Sequence, residues 1–527
     1  MKRILYNATI LPQDVDRPVV SALVIQDDRI LTAGTTTDIF AEFGNYQKQN
    51  MGGKFILPGI IDAHIHLENH GVNAQKINCE TRTLEKCLQH VSARVKGSKP
   101  GEWILGHGWN QNDWHEGFGS ASMLDKIAPQ NPVYLTAKSL HAGWANGQAL
   151  KIAGIDASTP DPENGRINHD RSGEPTGILL EDAMLLISLK IPPPTVHTLA
   201  EIIKKIQPEL WNMGITGVHD FDKGSCFSAL KDLHDNGELK VRVLKSIARE
   251  DLDEAISTGL RSGSGDDFLR IGSLKLFADG ALGPHTAAMF KPFIDDYENY
   301  GILTMNKEKI SEYGMLAANN GISLAVHAIG DRANNEVLEG FKSLRDYECK
   351  NGLKHLRHRI EHVQLLHPAD AGRLSELDLI ASMQPIHATS DMTMADKTWG
   401  DRCSTAYAWK TQLDHGAHLA FGSDAPVDSP NPFLGLHAAV TRQRVDDLPG
   451  KAGWYPEQCL SFGEALRAYT EAPAYAAGME DRSGKLKPGY LADLIVLDRN
   501  PFLCHPSELV DLKPAATMVN GDWVFES

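Results

Sequence analysis

Eight short apolar segments, separated by stretches with helical patterning, constrain this 527-residue chain more than any other feature. Strands that alternate with helices predict parallel βαβ units, and eight parallel strands predict an α/β fold that closes into a (β/α)8 TIM barrel. The predicted strands are residues 59–66, 214–221, 240–246, 272–278, 321–327, 356–363, 379–385 and 418–424. In such a barrel, chemistry takes place at the carboxyl ends of the strands.

The gap between the first two predicted strands is far longer than the other gaps. A loop of that length must carry structure of its own, and it contains strand-like runs at 103–109 and 133–137. We therefore predict that residues 68–195 form a subdomain inserted after the first barrel strand. Because the insertion leaves from the carboxyl end of that strand, we expect it to cover the active site.

Both ends of the chain show short strand patterns. Residues 22–30 contain two strand pieces around an Asp-Asp turn, and residues 518–525 contain a hairpin that turns at Asn-Gly. We predict one small β-sandwich composed of residues 1–57 and 480–527, which leaves residues 58–479 for the barrel with its insertion. The alternative is two unrelated β edges on the main fold.

Charge and cysteine content exclude several classes of partner. The net charge of −16 argues against nucleic acid, which needs a basic surface, and against an anionic membrane. We expect neither a membrane span nor a signal peptide, because the sequence contains no long apolar run and its basic start is followed by only a brief apolar stretch. The seven scattered cysteines form no Cys-x-x-Cys pair, so we expect the protein to be located in a reducing compartment, the cytoplasm. We expect a small-molecule substrate, and a homo-oligomer is compatible with these features.

Several predicted strands end in residues that bind metals. The first strand carries His64 and His66, whose side chains share a face because side-chain direction alternates along a strand. The other such residues are Lys275, His327, His362 and Asp424. Each has an ordinary alternative, such as a hydrogen-bonded core histidine or an aspartate that caps a helix. Their convergence on one barrel mouth instead indicates a metal site.

Imidazole and carboxylate ligands favour a divalent ion such as Zn²⁺. Such an ion lowers the pKa of a bound water towards about 7 and so provides hydroxide at neutral pH. In that arrangement Asp424 can hold the metal, accept the proton of the water and pass it to a leaving group. These residue types therefore predict metal-assisted hydrolysis.

Six stretches of the sequence resemble the amidohydrolase superfamily, specifically its YtcJ-like branch. They are LPGIIDAHIH (57–66), KLFADGALG (275–283), HAIGDRA (327–333), RIEH (359–362), GSDAP (422–426) and GKLKPGYLADL (484–494). The resemblance covers essentially the whole chain. It implies a metal-dependent hydrolase barrel flanked by a urease-type β-sandwich that is built from both termini.

The resemblance also implies a role for each metal-site residue. His64 and His66 bind the more buried metal. His327 and His362 bind the second metal, and Asp424 is both a ligand and the proton shuttle. Lys275 occupies the position at which relatives carry a carboxylated lysine, a CO₂-derived carbamate that bridges two metals. The alternatives are a single metal with Lys275 as a salt-bridged or substrate-facing amine.

The predicted insertion contains the stretch SLHAGWAN (139–146), which also fits the branch. We expect His141, Trp144 and Asn146 to line the substrate pocket. Four tryptophans of the insertion, at positions 103, 109, 114 and 144, favour a small, largely apolar acylated or formylated amine. The alternative is that these residues pack and cap the insertion's own core.

We predict a hydrolase of carbon–nitrogen bonds other than peptide bonds, acting on an amide, an N-formyl amine or a cyclic amide. The same residues could serve a deaminase, an esterase or a lactonase, because a fold does not determine a reaction. A third reading is a non-catalytic regulatory or binding protein on a hydrolase scaffold. The complete ligand set argues against that third reading. The sequence gives no role to Asp279, Asp331 or His387.

Overall fold

The computed structural model describes residues 2–111, 114–138, 141–163 and 165–527. The chain forms two compact units. The first consists of Met1–His70 and Ile203–Ser527, and the second of Gly71–Ile202. The predicted domain bounds, 1–57 with 480–527, 58–479 and 68–195, stay predictions.

Eight parallel strands of the first unit form one sheet in chain order. They are β1 Ile60–Ile65, β2 Ile215–Asp220, β3 Arg242–Ala248, β4 Leu269–Phe277, β5 Leu324–Ala328, β6 Arg359–His362, β7 Ile380–Met383 and β8 His418–Phe421. All eight predicted strands are present. The predicted (β/α)8 architecture is confirmed.

The two edges of this sheet meet beside the predicted metal residues. The Asp424 N–H donates to the His64 carbonyl at 2.7 Å, and the His66 N–H donates to the Ala425 carbonyl at 3.0 Å. Gly422 makes this approach possible, because a Cβ there would lie 2.3 Å from the backbone nitrogen of His64. The barrel seam therefore brings the segment after β8 against the end of β1.

Helices follow or precede the barrel strands, as expected for βαβ units. Their bounds are Leu67–Ala74, Val196–Asn212, Gly224–Asp235, Leu252–Ser257, Lys307–Asn319, Asp331–Lys350, Arg373–Glu376, Pro385–Trp399, Trp409–Asp414, Pro432–Thr441, Phe462–Ala468 and Glu471–Ala476. The helix Pro385–Trp399 begins directly after β7, with proline at its first position, where no backbone donor is needed.

A second eight-stranded sheet joins the two termini. Its order is Asp522–Glu526, Ala516–Val519, Leu494–Leu497, Phe55–Pro58, Lys2–Ile10, Val20–Gln26 and Arg29–Gly34, with Gln47–Asn50 paired to Lys2–Ile10. Leu5 and Leu23 from the first strands share one core with Leu494 and Met518 from the last. The strands of both termini thus form one sheet with a common core. The short helix Thr36–Glu42 lies in the same part of the chain.

The unit Gly71–Ile202 has a sheet and core of its own. The sheet order is Gly165–His169, Pro175–Glu181, Ala142–Ala145, Val133–Ala137, Ile104–Trp109 and Ile77–Asn78. The helices are Leu84–Lys96, Ala121–Asp125, Gly147–Ala153 and Leu185–Ser188. The long connection between β1 and β2 therefore carries regular structure.

Among the described residues, no helix is long and apolar enough to cross a membrane. All seven cysteines are free thiols. The cytoplasmic location and the homo-oligomer stay predictions.

Candidate metal centre

The two histidines of the first strand face one carboxylate. His64 is the fifth residue of β1, and His66 follows its last residue. Their Nε2 atoms lie 3.4 and 3.3 Å, respectively, from Oδ1 of Asp424. Alternation along β1 thus places both rings against the segment that follows β8.

The second ring nitrogen of each histidine contacts another carboxylate. His64 Nδ1 lies 2.6 Å from Glu361 Oε2, and His66 Nδ1 lies 3.3 Å from Asp222 Oδ1. A carboxylate behind an imidazole fixes the ring and leaves the opposite nitrogen for a metal. Burial, with Lys275 acting in the same direction, lowers the pKa of His64 to about 4. His64 is therefore neutral, the form that binds metal ions.

His66 has a different electrostatic environment. Burial lowers its pKa, but hydrogen bonds to Asp222 and Asp424 outweigh burial and raise the pKa of His66 to about 9. The two carboxylates therefore favour positive charge at this position, which is also what a bound cation supplies.

His327 of β5 and His362 of β6 meet edge to face, with ring centroids 4.5 Å apart. His327 Nε2 lies 2.9 Å from the Gly280 carbonyl and must donate to it, which leaves Nδ1 for a ligand. His362 Nδ1 lies 2.9 Å from Gln384 Oε1, which leaves Nε2. Burial lowers the pKa of both rings, that of His327 to about 4.

The backbone turns sharply at His362. Its φ is +76° and that of Val363 is +45°, both in the left-handed region that is costly for residues other than glycine. Strand alternation alone would send the neighbours Glu361 and His362 to opposite faces. Instead, Glu361 bonds His64, and the His362 ring lies 5.1 Å from the His64 ring. The turn therefore places both side chains at the site.

Asp424 bridges the two sides of the centre. It has a φ of +57°, and its Oδ2 lies 3.3 Å from Nε2 of His387. Burial raises the pKa of Asp424, but His64 and hydrogen bonds from His387 and His66 hold that pKa well below its usual range. Asp424 is therefore a carboxylate, able to bind a cation or accept a proton.

Lys275 lies inside β4 with its amine enclosed by aromatic rings. Its Nζ is 4.5 Å from the centroid of Phe221 and 5.0 Å from that of Phe277. Phe221 in turn stacks on His64, with centroids 4.1 Å apart. Burial lowers the pKa of Lys275 to about 8, although Glu361 and Asp424 act in the opposite direction. A sizeable fraction of this amine is therefore neutral near neutral pH.

These residues fit a metal ion on two grounds. Ligand atoms of His64, His362 and Asp424 all lie within 4.8 Å of one another. In addition, His64 Nε2 and Lys275 Nζ are buried without a hydrogen-bond partner among the described residues. Such atoms are costly unless a ligand completes their bonding. The structure brings together all six predicted residues, His64, His66, Lys275, His327, His362 and Asp424.

A second group, Asp220, Asp222 and Cys226, also has ligand atoms close together. Its carboxylates are already paired. Asp220 lies 3.0 Å from the amine of Lys245, and Asp222 accepts from the Glu68 N–H at 2.6 Å. This group therefore supports His66 and the start of the helix Leu67–Ala74.

The three residues predicted to line the substrate pocket lie in the unit Gly71–Ile202. Trp144 is fully buried in the core of that unit, in edge-to-face contact with Trp109 and Trp114. Asn146 caps the helix Gly147–Ala153 by accepting from the Ala149 N–H at 3.0 Å. Trp144 and Asn146 thus have the packing and capping contacts of the alternative reading.

His141 has a more exposed position. Its Nδ1 lies 3.0 Å from Glu181 Oε2. Ser139 and Leu140 of the same stretch lie outside the described residues. The role of His141, Trp144 and Asn146 in a substrate pocket stays a prediction.

Four side chains that contact the ligands are missing from the sequence-based set. They are Asp222, Glu361, Gln384 and His387. All lie at or just after the carboxyl end of a barrel strand, and this position in the sequence could have identified them as candidates. The sequence does not show which ligand each of them contacts, because every contact joins segments that are far apart in the chain.

Comparison with known proteins places the chain in a family. The amidohydrolase family profile matches residues 49–525. The chain belongs to the amidohydrolase family. The predicted enzyme class is thereby confirmed, and this amidohydrolase is a metal-dependent hydrolase by family.

Three relatives resemble this amidohydrolase over nearly its whole length. It is 33% identical to Protein LONG AFTER FAR-RED 3 of Arabidopsis thaliana, over 98% of the chain and 91% of the relative. It is 31% identical to the putative amidohydrolase YtcJ of Bacillus subtilis, over 100% of both. It is 27% identical to the N-substituted formamide deformylase of Arthrobacter pascens, over 99% and 97%. The predicted YtcJ-like resemblance is confirmed.

A solved structure matches the fold. An uncharacterized metal-dependent hydrolase from Pyrococcus furiosus has a TM-score of 0.80 and 29% identity, covering 95% of this chain and 100% of that chain.

Proposed function

We propose that this amidohydrolase hydrolyses the carbon–nitrogen bond of an amide, an N-formyl amine or a cyclic amide, with zinc as its metal. The observation that carries the proposal is the contact of His64 and His66 with Asp424, next to the rings of His362 and His327. The buried amine of Lys275 has no hydrogen-bond partner among the described residues. The relative named N-substituted formamide deformylase supports the choice of bond.

In this proposal the ligands would bind two ions. His64 and His66 would hold one ion together with Asp424, and His327 and His362 would hold a second, with Lys275 between them. Nitrogen and carboxylate donors suit Zn²⁺. When bound, the ion lowers the pKa of water and polarises a carbonyl oxygen.

Asp424 carries the proton. Its Oδ1 accepts a proton from the attacking water and delivers it to the leaving nitrogen. The carbon–nitrogen bond breaks, the water oxygen stays on the carbonyl carbon, and the amine leaves. Glu361 and Asp222 keep His64 and His66 in place throughout.

Lys275 is proposed to be carboxylated. Its neutral Nζ attacks the carbon of CO₂, a nitrogen–carbon bond forms, and one carbon–oxygen π bond opens with its electron pair going to oxygen. The nitrogen releases one proton to the solvent, so a carbamate anion results. The lowered pKa supplies the neutral amine, and the unpartnered Nζ has no ion pair to break. A high-resolution density map that shows a plain amine beside a single fully occupied metal would contradict this step.

Apolar side chains next to the ligands support a small apolar substrate. Phe221 stacks on His64, and Phe277, which is 51% exposed, lies with its ring 5.3 Å from the His327 ring. The tryptophans of the unit Gly71–Ile202 do not support an apolar substrate, since Trp109, Trp114 and Trp144 are part of the core of that unit. We therefore expect an uncharged group beside the scissile bond.

A substrate screen on the metal-loaded protein tests the proposal. The panel contains N-formyl amines, N-acyl amines, cyclic amides, esters, lactones and nucleobases. We expect turnover of at least one amide class. Turnover of nucleobases alone would indicate a deaminase, and turnover of esters or lactones alone would indicate an esterase.

Elemental analysis tests the metal independently of the substrate. We expect one to two divalent ions per chain, mainly zinc, and loss of activity when a chelator removes them. Protein that contains no metal and gains no activity with Zn²⁺, Mn²⁺ or Co²⁺ would favour the non-catalytic reading.

A further inference from the structure

Asp424 contacts an imidazole that lies outside the ligand set. His387 is in the first turn of the helix Pro385–Trp399 and is 7% exposed. Its Nε2 lies 3.3 Å from Asp424 Oδ2, and its Nδ1 lies 2.7 Å from Asp428 Oδ2. One ring therefore joins two carboxylates that are four residues apart in the chain.

Both carboxylates belong to a single turn that is attached to that helix. The Val427 N–H donates to the Asp424 carbonyl at 2.9 Å, so the segment folds back on itself. Ser390, one turn further along the helix, donates to the second oxygen of Asp428 at 3.0 Å. Asp428 is thus held on the helix by two side chains, and through His387 it is linked to Asp424.

This arrangement gives the two oxygens of Asp424 different partners. Oδ1 lies near the Nε2 atoms of His64 and His66, and Oδ2 lies near His387. A carboxylate can rotate about its side-chain bonds, and contacts on both of its oxygens restrain that rotation more than contacts on one. His387 provides the contact on Oδ2.

We propose that His387 and Asp428 form a positioning pair that holds the Asp424 carboxylate in the orientation needed at the metal centre. The proposal rests on the proposed role of Asp424 and adds two residues to it. His387 acts through Asp424 and need not touch the substrate. Glu361 and Asp222 have a similar effect on the ligands His64 and His66, because each contacts the ring nitrogen that faces away from Asp424.

The kinetic test compares variants at both positions with a matched histidine–aspartate pair elsewhere. His387→Ala should lower kcat about 10–100-fold, the usual range for losing such a supporting contact, with little change in KM. His387→Gln keeps a donor that can reach Asp424, and Asp428→Asn keeps an acceptor for His387, so both should retain more activity. The control is His355→Ala. In the wild type, the His355 ring bonds Asp378 at 2.8 Å, and His355 precedes β6, at the amino end of that strand. The control variant should leave kcat unchanged.

The structural test does not depend on activity, and its crystallographic part needs no metal. Crystal structures of the wild-type and His387→Ala proteins should show the Asp424 carboxylate turned in the variant. The visible spectrum of the Co²⁺-loaded proteins should shift in His387→Ala and not in His355→Ala. An unchanged Asp424 orientation, or an unchanged kcat in His387→Ala, would overturn the proposal. If the wild type hydrolyses no amide, the proposed function fails, and the Asp424 orientation still decides this inference.

Discussion

A buried ion pair at the amino end of the barrel contrasts with the candidate metal centre at its carboxyl end. At the amino end, Arg242 donates to both oxygens of Asp493, at 2.5 and 2.9 Å, and both residues are buried. At the carboxyl end, His64 Nε2 and Lys275 Nζ are buried with no hydrogen-bond partner in the described part of the chain. Because an unpaired buried group destabilises a fold, a metal ion bound among these ligands would complete the bonding of both atoms.

Two lysines on neighbouring strands show the same contrast. Lys245 in β3 is 2% exposed and Lys275 in β4 is 4% exposed. Burial lowers the pKa of Lys245, but its ion pair with Asp220 outweighs burial and raises that pKa. Lys275 has no ion pair with any residue that the structure describes, and its pKa falls to about 8. Equal burial therefore produces a structural cation in one strand and a reactive amine in the next.

The strongest test of the carboxyl end is Asp424→Asn. We expect kcat to fall about 10²–10⁴-fold, the usual effect of removing a general acid–base group. The thermal midpoint should stay close to that of the wild type, because the amide keeps the shape of the side chain. Steady-state kinetics and circular dichroism melting measure the two effects. Unchanged turnover would remove Asp424 from the mechanism.

Lys245 and Lys275 should also differ in how much each contributes to the stability of the fold. Lys245→Met leaves the buried carboxylate of Asp220 unpaired and should lower the free energy of unfolding by about 3–5 kcal/mol. Lys275→Met removes an amine that has no ion pair, so it should change this free energy by no more than about 1 kcal/mol. Denaturant unfolding of the metal-free proteins measures both. Equal losses of unfolding free energy in the two variants would show that the two lysines do not differ in their contribution to stability.

Replacement of Lys275 should also change metal binding and activity. Lys275→Ala should lose the second metal and most of the activity, and short carboxylic acids should restore part of it by replacing the carbamate. Metal analysis with and without added acetate, together with kinetics, checks this expectation. Full metal content in Lys275→Ala would exclude a bridging role for Lys275.

At the amino end of the barrel we expect a change in stability and no change in activity. His358 Nδ1 accepts from the Leu324 N–H at 2.9 Å, and Nε2 lies 3.0 Å from Glu348, which also bonds Arg345. His358→Leu should lower the free energy of unfolding by about 1–3 kcal/mol through the unpaired Leu324 donor. Because no ligand contact is lost, kcat should not change. A large loss of kcat would show that the two ends are coupled.

The barrel strands were predictable because their signals are local. Each is a short apolar run bounded by a turn, and β1 to β8 all lie within the ranges that the pattern predicts or extend past them by a few residues. The strand-end residues were predictable because parallel strands present their carboxyl ends on one side. The tryptophans of the unit Gly71–Ile202 were harder to interpret, since an aromatic residue in a sequence looks the same in a pocket or a core.

The order of the strands and the types of side chain at their ends could be predicted from local pattern, because hydrophobic period and strand polarity are properties of short segments. Which atoms of those side chains remain available for a ligand depends on contacts between distant segments. The left-handed turn at His362 brings Glu361 and His362 to one site, and contacts across strands assign Glu361 to His64, Asp222 to His66 and His387 to Asp424. Such contacts depend on distances between segments far apart in the chain, which local pattern does not contain.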